Sequence, residues 1–264
     1  MNIFYEKFIK PQNVAPESML FSKVHITLSF LCVLFIMTIL YFQMKHCDEN
    51  YSKKTLKNSS IIMLLLEILR ICWITYYYGF SLKNIRFDWC NQICLILPFI
   101  VLSENKNLFP YIDILAFVGG ISVIIYPRWV FYDYAGLHIM AVQSMASHAL
   151  MVIISISMIF TSDYWGKEND VRKPFIGFCY IAFIAFTMSR LLNTNYMLML
   201  NADGIPLLEN FTYPWYWFVA IPIVITVTNL AKLIFKGINN KIICKKDIIT
   251  EISSKRINLT DESM

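Results

Sequence analysis

Apolar residues along this chain gather into seven long runs separated by short polar connections, and no stretch alternates apolar and polar positions at period two. The runs cover residues 24–42, 60–79, 90–102, 109–126, 138–160, 174–192 and 214–235. Crossing the hydrocarbon core of a bilayer as a helix takes about 20 mostly apolar residues. Water is absent there, so each crossing segment must satisfy its own backbone hydrogen bonds. The pattern therefore predicts an all-α, polytopic transmembrane bundle of about seven membrane-spanning helices, forming one integral membrane domain over residues 1–264. The third run is short and begins among polar residues, which predicts a half-helix or one that extends into its flanking loop. The first run follows an amphipathic N-terminal segment without a small-residue cleavage site and is read as a retained helix rather than a signal peptide. No repeat of roughly 20–50 residues is visible.

Composition strengthens this picture. Hydrophobic residues make up 57% of the chain and charged residues 16%, whereas a soluble domain carries roughly 25% charge. The net charge of +5 suits an anionic leaflet, and no basic face interleaved with aromatics is present. Membrane lipids are the expected partners, and nucleic acid is not. Seven cysteines, an odd number mostly inside apolar runs, do not form a secreted disulfide framework. Cys90 and Cys94 have no second pair and no histidines at ligand spacing, so neither a metal site nor a cofactor is expected. Lys and Arg side chains set the orientation. Lys45, Lys53, Lys54, Lys57, Lys106, Lys167, Arg172, Lys173 and the basic residues from Lys232 onward fall on one side. Lys7, Lys10, Lys23, Lys83, Arg86 and Arg128 fall on the other. This bias predicts a cell-membrane protein with its N-terminus outside and the tail, residues 236–264, in the cytoplasm.

Polar residues inside the runs are the candidates for chemistry, because a charge at mid-membrane costs about 2.5–3.5 kcal/mol on insertion scales and usually faces the bundle interior. Glu67 and Arg70 lie at i, i+3 on one helix face. They suit either an ion or proton relay or an internal salt bridge that fixes packing. His148, ten residues into its run, shares a face with Ser144. It can serve as a general base or bond a neighbouring helix. Arg190, Asn193 and Asn195 close the sixth run, where the guanidinium can hold a phosphate or snorkel to the headgroups. Trp215, Tyr216 and Trp217 follow Pro214 at the start of the last run, a placement that suits an interfacial aromatic belt. Cys94 follows Trp89, Asn91 and Gln92 near a helix start, where it is either a small buried hydrophobe or an activated thiol.

Four features of the chain resemble the YwaF-type integral membrane proteins. Asn195-Tyr196-Met197, Pro206-Leu207-Leu208 and Pro214-Trp215-Tyr216 are similar to that family's C-terminal signature. His148 after a small-residue stretch is similar to its mid-chain histidine, Gln92-Ile93-Cys94 to its His-x-Cys pair, and the seven runs to its layout. The similarity spans residues 89–235 approximately, and its C-terminal piece is the specific part. In one respect the chain departs: Gln92 stands where the family often has histidine, and an amide cannot shuttle a proton.

The resemblance extends to a eukaryotic transmembrane acyltransferase that moves acyl chains between phospholipids, and so implies a lipid acyltransferase or hydrolase. In that reading His148 draws the proton from Cys94, whose sulfur attacks an acyl ester. Arg190 holds the lipid phosphate, and Asn193, Asn195 or Gln92 donates to the developing oxyanion. Tyr196, Trp215 and Tyr216 join the substrate contacts. The alternative is a non-catalytic small transporter or lipid-binding partner subunit, resting on Glu67, Arg70 and the lost histidine. Such transporters often pair broken helices in two related halves, and the short third run has no counterpart.

Overall fold

A computed structural model describes residues 3–11, 20–46, 48–127, 130, 134, 137–161, 172–200, 210 and 215–261, with side chains as far as residue 240. Its helices are α1 (Ile3–Phe8), α2 (Lys23–His46), α3 (Glu49–Tyr78), α4 (Trp89–Leu102), α5 (Phe109–Ile125), α6 (Ile139–Thr161), α7 (Arg172–Leu192) and α8 (Tyr216–Asp261). Short 3-10 turns occupy Leu82–Asn84 and Tyr196–Leu198, and no strand occurs among the described residues. Five helices are long and apolar enough to cross a membrane: α2, α3, α6, α7 and most of α8. The fold is an all-helical membrane bundle, as the hydrophobic pattern predicts. Pro206-Leu207-Leu208 and Pro214 lie outside the described residues.

Each apolar run corresponds to one helix, but two helices extend well past their runs. α3 begins at Glu49, where the Asp48 carboxylate caps the amides of Asn50 and Tyr51. Its polar first half continues the same buried stripe (Ser52, Leu56, Ser60) that Met63, Glu67, Arg70 and Trp73 carry upward. It ends at Gly79, whose φ of +75° a side chain would disfavour. α8 continues unbroken from its apolar part through the charged tail to Asp261.

α6 is the axis of the bundle. Seventy-eight per cent of its apolar window is buried, against 22% for α2 and α7 and 11% for α8, which face outward. α2, α3, α5 and α8 pack on α6, while α4 lies between α3 and α5 and α7 closes over α5. α4, with 14 residues, reaches only about 21 Å, short of the roughly 30 Å hydrocarbon core. α4 and α5 therefore form a short hairpin enclosed by the longer helices.

Glycine sets the closest of these approaches. A Cβ on Gly120 would stand 2.7 Å from the His148 carbonyl oxygen and 2.7 Å from Val152 Cγ2, so α6 reaches α5 only because that atom is missing. On α7, a Cβ at Gly177 would run into the Tyr111 carbonyl of α5. Polar side chains inside the bundle bond across helices. Gln43 pairs with Ser157 at 2.8 Å, and the Ser29 hydroxyl donates to the Ile124 carbonyl at 2.8 Å. Such bonds contribute roughly 0.6 kcal/mol on average within membranes.

The N-terminal segment is tied to one end of the bundle. Trp73 Nε1 donates to the Ile9 carbonyl at 2.9 Å, the Tyr77 and Tyr5 hydroxyls bond at 2.9 Å, and His138 Nε2 lies 3.2 Å from the Lys10 carbonyl. His138 Nδ1 accepts from the Met140 amide at 3.2 Å, which leaves the proton of the neutral ring on Nε2 for Lys10. Tyr134 stacks on the ring at 4.8 Å, and Trp73 meets both edge-on.

Gly120→Val and Gly177→Val are each expected to lower stability by about 1–3 kcal/mol, read as a reduced Tm in detergent. Gly237→Val, at a position with nothing within 4 Å, is expected to leave Tm unchanged. Burial lowers the proton affinity of His138 below its ordinary value. The docked ring thus binds fewer protons than the undocked one, so docking is full above about pH 6.5 and weakens as pH falls through that value. Hydrogen exchange at residues 9 and 10 is expected to accelerate across this range, and the step is expected to vanish in His138→Phe.

Candidate functional site

A cavity of about 620 Å³ opens at the end of the bundle where the N-terminal segment docks. Its walls are the last turns of α3 and α5, the first turns of α4, α6 and α8, and the 3-10 turn after α7. The volume lies within the roughly 300–1,000 Å³ of small-molecule sites. Cys94, His148, Glu67, Arg70 and Asn195 all reach it.

Cys94 stands on the second turn of α4 and is 3% exposed. Its sulfur lies 3.8 Å from Met151 Sδ, a weak partner. Pro98, one turn further on, has no N–H to offer the Cys94 carbonyl, so the helix ladder is interrupted beneath this residue. His148 enters from α6, at the level where Gly120 lets α5 approach. Its Nδ1 is 2.6 Å from the Ser144 carbonyl. A carbonyl only accepts, so Nδ1 carries the proton of the neutral ring and Nε2 is an acceptor. That Nε2 is buried and has no partner. No hydrogen bond joins the thiol to the imidazole, although Met151, beside the sulfur, is three residues beyond His148 on the same helix.

Glu67 and Arg70 form a buried, bidentate ion pair. Arg70 Nε donates to both carboxylate oxygens, at 3.0 and 2.9 Å, and Nη2 donates to Oε1. The salt-bridge expectation for this pair thus matches the geometry, and the pair also lines the cavity. Arg70 Nη1 is buried without a partner. Arg86 and Asp88, at the mouth, form a second ion pair at 3.2 Å.

The remaining predicted contacts divide. Asn195 lines the cavity, and its Oδ1 accepts from the Leu200 amide at 2.8 Å. Tyr196 is buried next to it as a clamp, not as a wall. Its hydroxyl donates to the Lys83 carbonyl at 3.1 Å and its amide to Ser189 Oγ at 3.0 Å. Burial pushes its phenol above the ordinary value, which keeps the donor protonated. The clamp turns the next two residues into the left-handed region, with φ of +50° at Met197 and +57° at Leu198, and Asp88 holds the Met197 amide at 3.0 Å. Both strained residues line the cavity.

Gln92 points away from it, its Nε2 donating to the carbonyls of Phe87 (2.7 Å) and Ile181 (3.1 Å) and so tying α4 to α7. Arg190 is exposed, with its guanidinium over the Phe186 ring, and Asn193 is exposed at the end of α7. Trp215 is exposed and stacks on Phe218, while the Tyr216 side chain lies outside the described residues. The structure therefore brings together Cys94, His148 and Asn195, and leaves Arg190, Asn193 and Trp215 outside. The wall also includes Asp88, Cys90 and Trp217, which the sequence reading did not place among the site residues. Two of these had a signal: Cys90 lies at i−4 from Cys94, and Trp217 is the aromatic that the start of α8 at Tyr216 turns inward.

The model of the TMEM164 family matches residues 20–232, a span that includes every helix lining the cavity. No match was found among curated proteins or solved structures.

Removing Glu67 alone strands a buried guanidinium, and Glu67→Ala is expected to cost about 3–5 kcal/mol. Replacing both partners, Glu67→Leu with Arg70→Met, is expected to restore Tm to near wild type. Thermal unfolding of the two variants in detergent checks the difference.

Proposed function

The chain belongs to the TMEM164 family of transmembrane proteins, and we propose that it is an acyl-transfer catalyst acting on membrane lipid esters. The observation that carries the reading is the pairing within one cavity of a thiol from α4 and an imidazole from α6 whose unprotonated nitrogen has no partner. The likeness to YwaF-type proteins supplies the reaction class, and these two residues fit its roles. Gln92, on the far side of α4, serves the fold in this reading, so the chemistry does not depend on a histidine there.

The reaction begins when the thiol leaves Met151 and its proton passes to His148 Nε2. The sulfur bonds to the ester carbonyl carbon, the carbon–oxygen bond breaks, and the departing lysolipid oxygen takes the proton from His148. A hydroxyl of a second lipid, or water, then attacks the thioester with its proton passing to His148, and the sulfur recovers that proton on leaving. Asn195 and the strained Met197–Leu198 backbone shape the acyl path. Arg190 and Trp215, exposed at the same end, sit at headgroup level. Orientation follows the basic-residue bias, with the N-terminus outside. Five long spans make an odd number of crossings, and the α4–α5 hairpin adds two or none, so the parity is the same either way.

Reconstituted into phosphatidylcholine vesicles with a lysophospholipid acceptor, the full chain is expected to transfer acyl groups. Cys94→Ala is expected to abolish transfer, and His148→Ala to reduce it by about 10²–10⁴-fold, read as labelled phospholipid formed. Turnover by Cys94→Ala at the wild-type rate would eliminate the nucleophile assignment.

A further inference from the structure

Charge is balanced all along the cavity wall. The charged side chains that reach it, among the described residues, are Glu67, Arg70, Arg86 and Asp88, and each arginine is already bound to a carboxylate. A phosphate entering would meet no net positive charge, because a carboxylate balances each guanidinium. Two of the lining residues instead each carry a buried polar atom without a partner, and the two atoms are of opposite kind. Arg70 Nη1 can only donate, and His148 Nε2, in the tautomer fixed by Ser144, accepts. A buried donor without a partner costs free energy of about 1–3 kcal/mol, a cost that a ligand acceptor would remove.

We propose that Arg70 Nη1 is the donor that receives the carbonyl oxygen of the substrate ester, and that the Glu67–Arg70 pair selects an uncharged acyl ester while the phosphate stays outside the cavity. This rests on the acyl-transfer reading above. Glu67 engages Nε and Nη2 of the guanidinium through both of its oxygens, so the group cannot swing and Nη1 is held in one direction. A rigid donor of this kind stabilises the charge that grows on the carbonyl oxygen as the Cys94 sulfur adds, and it needs no reorganisation at that moment. The developing oxyanion accepts this hydrogen bond more strongly than the neutral ester carbonyl does, so the gain falls on the transition state. The balance of the reaction is unchanged: the sulfur–carbon bond forms, the carbon–oxygen bond breaks, and the thiol proton moves through His148 Nε2 to the leaving oxygen. Arg70 donates a hydrogen bond and keeps its proton.

The test uses the full chain in detergent micelles with p-nitrophenyl palmitate, an uncharged acyl ester, and follows p-nitrophenolate release. Alkylation of Cys94 by iodoacetamide, which needs no carbonyl activation, is measured alongside. Arg70→Lys spends its single head on Glu67 and offers nothing to the carbonyl. It is expected to lose about 10²–10³-fold in kcat, with KM and the alkylation rate within a few fold of wild type. The double variant Glu67→Leu with Arg70→Met, expected to fold, is expected to show the same split, and it decides the matter should Arg70→Lys fail to fold. Inorganic phosphate at millimolar concentration is expected not to compete with the ester. Wild-type kcat in either variant would overturn the donor assignment while leaving Cys94 and His148 in place. A parallel loss of alkylation would overturn it too, by showing that Arg70 only shapes the pocket. Competitive inhibition by phosphate would overturn the selection of an uncharged ligand. An ester turnover that persists in Cys94→Ala would instead remove the acyl-transfer reading, and this proposal with it.

Discussion

Inside the hydrocarbon of a bilayer a polar atom has only the protein to bond with, and this bundle is organised by that scarcity. Along α6 the polar side chains are met one by one. Gln43 reaches Ser157, Ser155 turns back on the Met151 carbonyl, and Gln143 bridges to the Leu66 carbonyl and Ser147. The most expensive group, the Arg70 guanidinium, is met by a carboxylate on the previous turn of its own helix, so its neutralisation depends on no other span. Ser52 Oγ, Ser60 Oγ and Gln92 Oε1 are buried without a partner elsewhere, and among the described residues Arg70 Nη1 and His148 Nε2 are the two such atoms whose residues line the cavity.

The number and order of the helices were legible because crossing a membrane demands uninterrupted apolar length, and that demand leaves a plain trace. The polar extension of α3 left a weaker one. Its buried stripe of Ser52, Leu56 and Ser60 is helical in phase but too polar to count as part of a span. That Cys94 and His148 would both reach one cavity was an expectation from residue type and position, and both line it. Helical phase explains most of what was not. Gln92 sits two residues from both Cys90 and Cys94, about 200° around the helix at 3.6 residues per turn, so it faces α7 while they face the cavity. Arg190 follows the buried Ser189 by one residue and turns out to the surface. Glu67 and Arg70 were recognised as a pair, but nothing in a single helix tells that the pair would line the same cavity as His148.

The Asn195-Tyr196-Met197 run is the clearest case of a motif whose work differs from its appearance. It reads as a polar lining, yet only Asn195 and Met197 reach the cavity. Tyr196 is a buried bolt that fastens the end of α7 to the loop before α4, and through Asp88 the same junction fixes the Met197 backbone. Two connections far apart in sequence are thereby held at one end of the bundle, and the cavity depends on that closure as much as on its polar groups.

Two buried histidines of this end, His138 and His148, carry opposite tautomers. His138 keeps its proton on Nε2 for a neighbour's carbonyl, and His148 keeps its proton on Nδ1 for its own helix. The cavity that His148 lines lies at one end of the bundle. An imidazole that spends its proton on its own helix keeps its other nitrogen for whatever enters the cavity, whereas one that spends it on a distant carbonyl serves as a clasp.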